Sequence, residues 1–253
     1  MEKKEHPAGD RNVMRFYTMT TESAKRGRIR AWLVHLYTAS GAAIGFAGIA
    51  AALALNIRLA FVAMFVATLV DATDGLLARR ARVKEVLPQI DGARIDDLVD
   101  YVTFVVLPMV VVLQFRMLPE PAAVLIGGAV LVCSLYGFVA PDAKTADHFF
   151  TGFPSYWNIV VLYLYVMGAG PALSAAVLVG LCALIFVRIG YVYPSRTPIL
   201  MRTTLALSAV WAVAVAAMIW MLPARATTLA ILSLFFPVYY LVLSVALQIR
   251  RTA

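Results

Sequence analysis

Long apolar runs alternate with short polar breaks along most of the chain. Eight runs stand out, at about 32–54, 60–78, 98–114, 121–140, 156–168, 172–190, 203–222 and 227–248. A helix needs roughly 17 to 25 mostly apolar residues to cross the hydrocarbon of a bilayer. The pattern therefore predicts about eight transmembrane helices, the fifth of them short. Lipid offers the backbone no hydrogen bonds, and most connections are too brief to fold separately. The expected architecture is an all-α, polytopic membrane helix bundle that occupies 31–253 as one unit. Residues 1–30 are polar and basic, without the apolar core and small-residue cleavage site of a secretory signal. They are expected to form a cytoplasmic arm lying on anionic lipid.

Composition strengthens that picture. Hydrophobic residues make up 62% of the 253 positions and charged residues 14%, a balance that excludes an ordinary soluble domain. Lys and Arg collect on the cytoplasmic side of membrane proteins. With the N-terminus inside, only Arg58, Arg116 and Arg225 of the 22 basic residues face outward, so both termini are expected in the cytoplasm. The net charge of +8 follows from this topology, and no nucleic-acid-binding motif accompanies it. Cys133 and Cys182 lie in apolar runs and give neither a disulfide framework nor a metal pattern. His35 reads as a satisfied interior histidine. Gly41, Gly45 and Gly48 read as positions where helices approach closely. Transport is the rival function class, but the repeats and broken helices that mark many transporters are not evident.

The acidic residues change the question from topology to chemistry. Half of the fourteen fall between Asp71 and Asp100, at the ends of two apolar runs. Charge near hydrocarbon costs a few kcal/mol, so acids retained there usually have a function. Positions three and four apart share a helix face. Asp71, Asp74, Gly75 and Ala78 thus line one side of the second span, and Asp96 and Asp100 one side of the third. Four converging carboxylates repel one another unless cations lie between them. Oxygen-only donors suit Mg²⁺ or Mn²⁺, and a pair of such ions suits phosphoryl transfer. Gly75 and Ala78 leave room for a phosphate or nucleotide, and Arg79 can bond phosphate oxygens in pairs. Asp91 and Asp97 fall off the shared faces and are expected to pair with nearby arginines in a solvated connection.

The order of these residues resembles the signature of the CDP-alcohol phosphatidyltransferase family. Asp71, Asp74, Gly75, Ala78, Arg79, Gly92, Asp96 and Asp100 fill every fixed position of Asp-x-x-Asp-Gly-x-x-Ala-Arg followed by Gly-x-x-x-Asp-x-x-x-Asp. The resemblance implies a CDP-linked lipid donor bound by Asp74, Gly75, Ala78, Arg79 and Gly92. It implies two divalent ions held by Asp71, Asp74 and Asp96 with help from Asp100, and Asp100 as general base. Residues 80–91 separate the two halves of the motif. Most of the family has a gap shorter by about four residues, roughly one helical turn. The longer gap resembles that of the bacterial choline-using branch, as do His35-Leu-Tyr-Thr-Ala-Ser-Gly41, Val83-Lys-Glu-Val-Leu-Pro88 and the segment Lys144 to Asn158.

The likeness covers about 30–205 and implies attack by choline on CDP-diacylglycerol with release of CMP. Serine, inositol and glycerol 3-phosphate remain rival acceptors. A quaternary ammonium is recognised by aromatic faces, which makes Tyr101, Tyr156 and Trp157 candidates for choline, with Phe149, Phe150 and Phe153 nearby. Asn158 could orient substrate or bond neighbouring backbone. Arg196 and Arg202 are candidates for the lipid phosphate, with Arg188 close to them, and Asp147-His148 reads as a hydrated loop pair. The family resemblance also implies a homodimer in a bacterial inner membrane, with the active site on the cytoplasmic side.

Overall fold

A computed structural model describes residues 9–140, 149–192 and 199–252. Helix α1 (Gly9–Leu53) carries the basic arm straight into the first apolar run. After a tight turn, Asn56 caps α2 (Ile57–Arg80) by accepting from the Leu59 N–H. Arg79 and Arg80 close that helix, where cations complement its dipole. A short helix α3 (Val83–Val86) follows, then α4 (Gly92–Asp100), capped by Asp91, which accepts from the Ala93 N–H.

The backbone stays helical past Asp100 but widens into a π-turn over Tyr101–Val106 before α5 (Leu107–Gln114). Pro108, which has no N–H to donate, falls in the first turn of α5. The chain continues through α6 (Ala123–Val139), β1 (Phe149–Thr151), α7 (Trp157–Val166), α8 (Pro171–Ile185) and β2 (Gly190–Val192). It ends with α9 (Met201–Met221), α10 (Thr227–Ser233) and α11 (Phe235–Thr252).

The regular structure among the described residues is thus helical apart from one antiparallel ladder, in which Phe149 faces Val192 and Thr151 faces Gly190. Side chains of α11 hold the ladder down. Gln248 accepts from the Gly190 N–H and Ser244 from the Val192 N–H.

Five helical segments are long and apolar enough to cross a membrane: Glu22–Leu53, Ile57–Arg80, Glu120–Val139, Met201–Met221 and Thr227–Ile249. The runs at 156–168 and 172–190 form shorter apolar helices, and the run at 98–114 is interrupted by the π-turn. All eight apolar runs are therefore helical, while five meet the length of a plain span.

Packing decides how the two aspartate helices meet. Without water, helices associate by close fit and small residues. On α1, a β-carbon at Gly41 would lie 2.5 Å from Val99, and one at Gly45 3.0 Å from Val102 and Thr103. One at Gly48 would lie 2.6 Å from Leu107 and 2.8 Å from Ala63. This glycine seam draws α1 onto α4, the π-turn, α5 and α2. Below it, Phe61, Leu107, Val111, Trp157, Leu178 and Met218 form the interior, each 1% exposed or less.

The connection at 80–91 is an ordered plug. Val83 and Leu87, a helical turn apart, bury against Ala31 of α1 with Val34 and Ala78 beside them. Arg82, in the left-handed region at φ 51°, starts the turn and pairs with Glu85 on the surface.

Candidate active site

Asp71 of α2 and Asp96 and Asp100 of α4 meet across the interface of their helices. One carboxylate oxygen from each lies within 4.8 Å of the others, and all three residues are half-buried. Like charges at that separation repel strongly in a partly desolvated setting, and a divalent cation among them removes the repulsion. The donor set, three hard oxygens and no sulfur or nitrogen, fits Mg²⁺ or Mn²⁺. Asp74 sits one turn beyond Asp71 and is buried, but it is not one of the three whose oxygens converge. The π-turn begins immediately after Asp100. Such turns shift the helix face by adding a residue to one turn, which lets Asp96 and Asp100 look toward α2 while Leu107 and Val111 fill the interior.

The small residues of the motif have visible contacts. The Arg79 guanidinium lies over Gly75, 3.3 Å from where a β-carbon would stand. Gly92 receives the His35 ring, whose Cε1 and Nδ1 would lie 2.9 and 3.3 Å from a β-carbon. His35 is buried, its Nε2 finds no hydrogen-bond partner, and its ring meets Trp32 edge-on. Ala78 packs against the plug. Beside Asp74, Thr73 meets the Tyr37 hydroxyl at 2.8 Å, which ties α1 to α2 at the level of the carboxylates. Asp91 is occupied as the α4 cap and pairs with Arg94 at 3.4 Å.

Several proteins described as phosphatidylcholine synthases resemble this chain. One from Legionella pneumophila is 44% identical over 167 residues, 66% of each chain. One from Pseudomonas aeruginosa is 34% identical over 197 residues, 78% of this chain and 83% of its own. One from Rhizobium meliloti is 39% identical over 189 residues, 73% of this chain and 77% of its own. The chain belongs to the phosphatidylcholine synthase family. The match spans about two thirds of the Legionella pneumophila relative and 62% of one from Legionella bozemanae. No protein-family model matches the chain.

Against that family background, the residues proposed for choline separate. Trp157 is fully buried, donates its indole N–H to Ser134 at 2.7 Å and meets Phe153 edge-on, so it belongs to the interior. Tyr101 donates to the Leu131 carbonyl at 3.1 Å and lies edge-on to Phe138, facing α6. Asn158 is buried and donates to Thr68 at 3.0 Å, one turn before Asp71, and so docks α7 on α2 beside the site. Tyr156, the residue that precedes α7, stays half-buried.

Phe149 is buried under α11. Arg202 is exposed in the first turn of α9, and Arg188 is exposed before β2. Arg196, Lys144, Asp147 and His148 lie outside the described residues. The sequence reading passed over Thr68, which anchors Asn158, and over Tyr191 and Tyr240, whose rings stack with centroids 6.2 Å apart from two later elements. A polar residue one turn before the motif was the available sign of the first; nothing in the local pattern marks the other two.

Proposed function

We propose that this protein transfers the phosphatidyl group of CDP-diacylglycerol to choline and releases CMP. The observation that carries the reading is the convergence of Asp71, Asp96 and Asp100 from two helices, in a chain of the phosphatidylcholine synthase family. Asp71, Asp74, Asp96 and Asp100 would hold two divalent ions, Mn²⁺ or Mg²⁺, whose chemistry would be to neutralise charge on the CMP phosphate. Gly75, Ala78, Arg79 and Gly92 receive the CDP moiety, with the Arg79 guanidinium bonding phosphate oxygens. Arg202, with Arg196, takes the lipid phosphate.

Choline binds beside Asp100, near the end of α7 where Tyr156 stands. Its hydroxyl oxygen attacks the phosphorus that bears diacylglycerol, and the bond from that phosphorus to the CMP oxygen breaks. Asp100 takes the hydroxyl proton. A carboxylate has two oxygens, so Asp100 could contribute one to a metal site and keep the other to accept the proton.

The same reading places eight spans in a bacterial inner membrane, with both termini and the carboxylates on the cytoplasmic side. The basic residues support it, because only three of 22 fall on the opposite face. Spans seven and eight, α9 with α10 and α11, supply the surface of a homodimer. The test supplies purified protein in detergent with CDP-diacylglycerol, choline and Mn²⁺ and measures CMP. Choline-dependent CMP release that stops with chelator and exceeds release with serine, inositol or glycerol 3-phosphate is expected. No CMP with any alcohol overturns the transferase reading, and preference for another alcohol overturns choline.

A further inference from the structure

The three basic residues that the charge pattern sets apart, Arg58, Arg116 and Arg225, are brought to one place by the fold. Arg58, in the first turn of α2, donates to the Leu222 carbonyl from Nε at 2.7 Å and also from Nη2. Pro223, the next residue, lines a hollow of about 170 Å³ together with Arg116, Arg225, Tyr165 and Gly168. The walls of the hollow come from the turns after α5, between α7 and α8, and between α9 and α10. It lies far from the carboxylates. Asp71 follows Arg58 by thirteen residues of α2, about 20 Å at 1.5 Å per residue.

Arg225 is seated in this hollow. Its guanidinium lies on Gly168, with Nη1 and Cζ 2.5 and 2.6 Å from where a β-carbon would stand. Gly168 also adopts φ 67°, so the turn needs glycine both for its backbone and for the approach of Arg225. Among the described residues no acid pairs with Arg225. Arg116 stands at φ 51°, uncommon for a residue with a β-carbon, and meets Glu120 at 3.4 Å in an exposed pair of the kind that contributes little. Three arginines against that one acid leave this end of the bundle positive. A guanidinium with one face covered presents its N–H edge, the geometry that bonds two phosphate oxygens at once.

A neighbouring hollow narrows the choice of ligand. Arg225 also borders a space of about 310 Å³ whose walls include Met221, Ala226, Leu229 and Leu232. Met221 and Leu232 are exposed, as is Trp220 beside them. One guanidinium thus stands between a basic hollow and a largely apolar one. A free anion would use only the first, whereas a molecule with an anionic head and an acyl chain fills both and covers apolar surface.

We propose that Arg116 and Arg225 bind the phosphate of an anionic phospholipid at the membrane face opposite the carboxylates, with an acyl chain lying over Met221, Leu229 and Leu232. This lipid is bound and not consumed, and it ties together the turns that follow α5, α7 and α9. The inference is independent of the acceptor alcohol and of the metal site.

The experiment titrates the purified full-length protein in detergent with phosphatidylglycerol, phosphatidylcholine or inorganic phosphate and counts bound molecules by native mass spectrometry. One phosphatidylglycerol should bind saturably, and Arg225→Gln should weaken it about 10- to 100-fold, the factor that a hydrogen bond to a charged group represents. Arg116→Gln should weaken it by less, since Glu120 already neutralises part of that charge. Arg28→Gln removes the same charge from the basic arm and should leave the affinity unchanged. The KM for CDP-diacylglycerol should hold in Arg225→Gln. Equal phosphatidylglycerol affinity in the parent and Arg225→Gln overturns the site. An equal loss in Arg28→Gln also overturns it, because diffuse attraction then accounts for the binding. Displacement of the lipid by an equal concentration of inorganic phosphate overturns the lipid in favour of a free anion, and equal binding of phosphatidylcholine overturns the anionic head. A raised donor KM in Arg225→Gln overturns the separation from the active site. If Arg225→Gln does not fold, Arg116→Gln decides by the same comparisons. The binding readouts need no CMP release, so failure of the transferase reading leaves them intact.

Discussion

Gly48→Ala is the most direct test of how the glycine seam sets the site. The new methyl would start 2.6 Å from Leu107 Cδ2 and 2.8 Å from Ala63 Cβ, where ordinary carbon contacts lie at about 3.5–4.0 Å. Leu107 can turn its side chain, although it is fully buried. Ala63 has no side-chain torsion to give, so α2 itself must move by a substantial fraction of an ångström. Overpacking of this kind costs about 1–3 kcal/mol.

Replacing glycine inside a helix returns up to about 1 kcal/mol in conformational preference, and a control removes that offset. Gly180 of α8 is exposed with nothing within 4 Å of its β-carbon position, so Gly180→Ala carries the preference alone. The difference between the two variants isolates the wedge, and Gly48→Ala should be the less stable by about 1–3 kcal/mol. Thermal unfolding in matched detergent measures it. The wedge also pries α2 from α5, hence Asp71 from Asp96 and Asp100. Oxygen ligands to Mg²⁺ must sit at about 2.0–2.1 Å, so the Mn²⁺ or Mg²⁺ needed for half-maximal CMP release should rise several-fold. A Gly48→Ala protein that melts with Gly180→Ala and keeps the parent metal requirement would refute both the seam and its link to the carboxylates.

Two further substitutions separate chemistry from scaffold. Asp100→Asn should abolish CMP release while metal-dependent retention of CDP-diacylglycerol persists, and a turnover near the parent value would remove Asp100 as the proton acceptor. Leu87→Ala empties the centre of the plug, where the side chain is fully buried between Val83 and Ala31. A loss of about 2–3 kcal/mol is expected, low in the range for buried leucine because the cluster is small. Faster proteolysis at 80–91 should accompany it, and a plug as resistant as the parent's would contradict the packing.

The aspartate site was largely legible in the sequence because charge in an apolar setting is costly and helical spacing assigns faces. Asp71, Asp96 and Asp100 do converge. Asp74 shares the Asp71 face, yet one turn advances about 5.4 Å along the helix, and face alone does not reveal which end meets a partner. The plug was legible only as a gap length. Its order comes from Val83 and Leu87, whose burial depends on where α1 stands. Trp157 illustrates the opposite difficulty: an aromatic at the end of an apolar run can line a pocket or fill the interior. Ser134, 23 residues earlier, decides for the interior by accepting the indole N–H. The Tyr191–Tyr240 stack had no local signal, since its members come from β2 and α11.

The π-turn after Asp100 makes the direction of the second carboxylate helix, α4, a matter of chain length as much as residue identity. A helix that closes one turn with an additional residue rotates everything on one side of it by about 100° relative to a regular α-helix. Side-chain replacements within Tyr101–Val106 leave that count untouched, so the register survives most point mutations. Removal of a single residue there would swing Asp96 and Asp100 off the face they share with Asp71 without altering any member of the motif. In this chain a deletion among ordinary apolar residues is therefore as dangerous to the site as the loss of an aspartate.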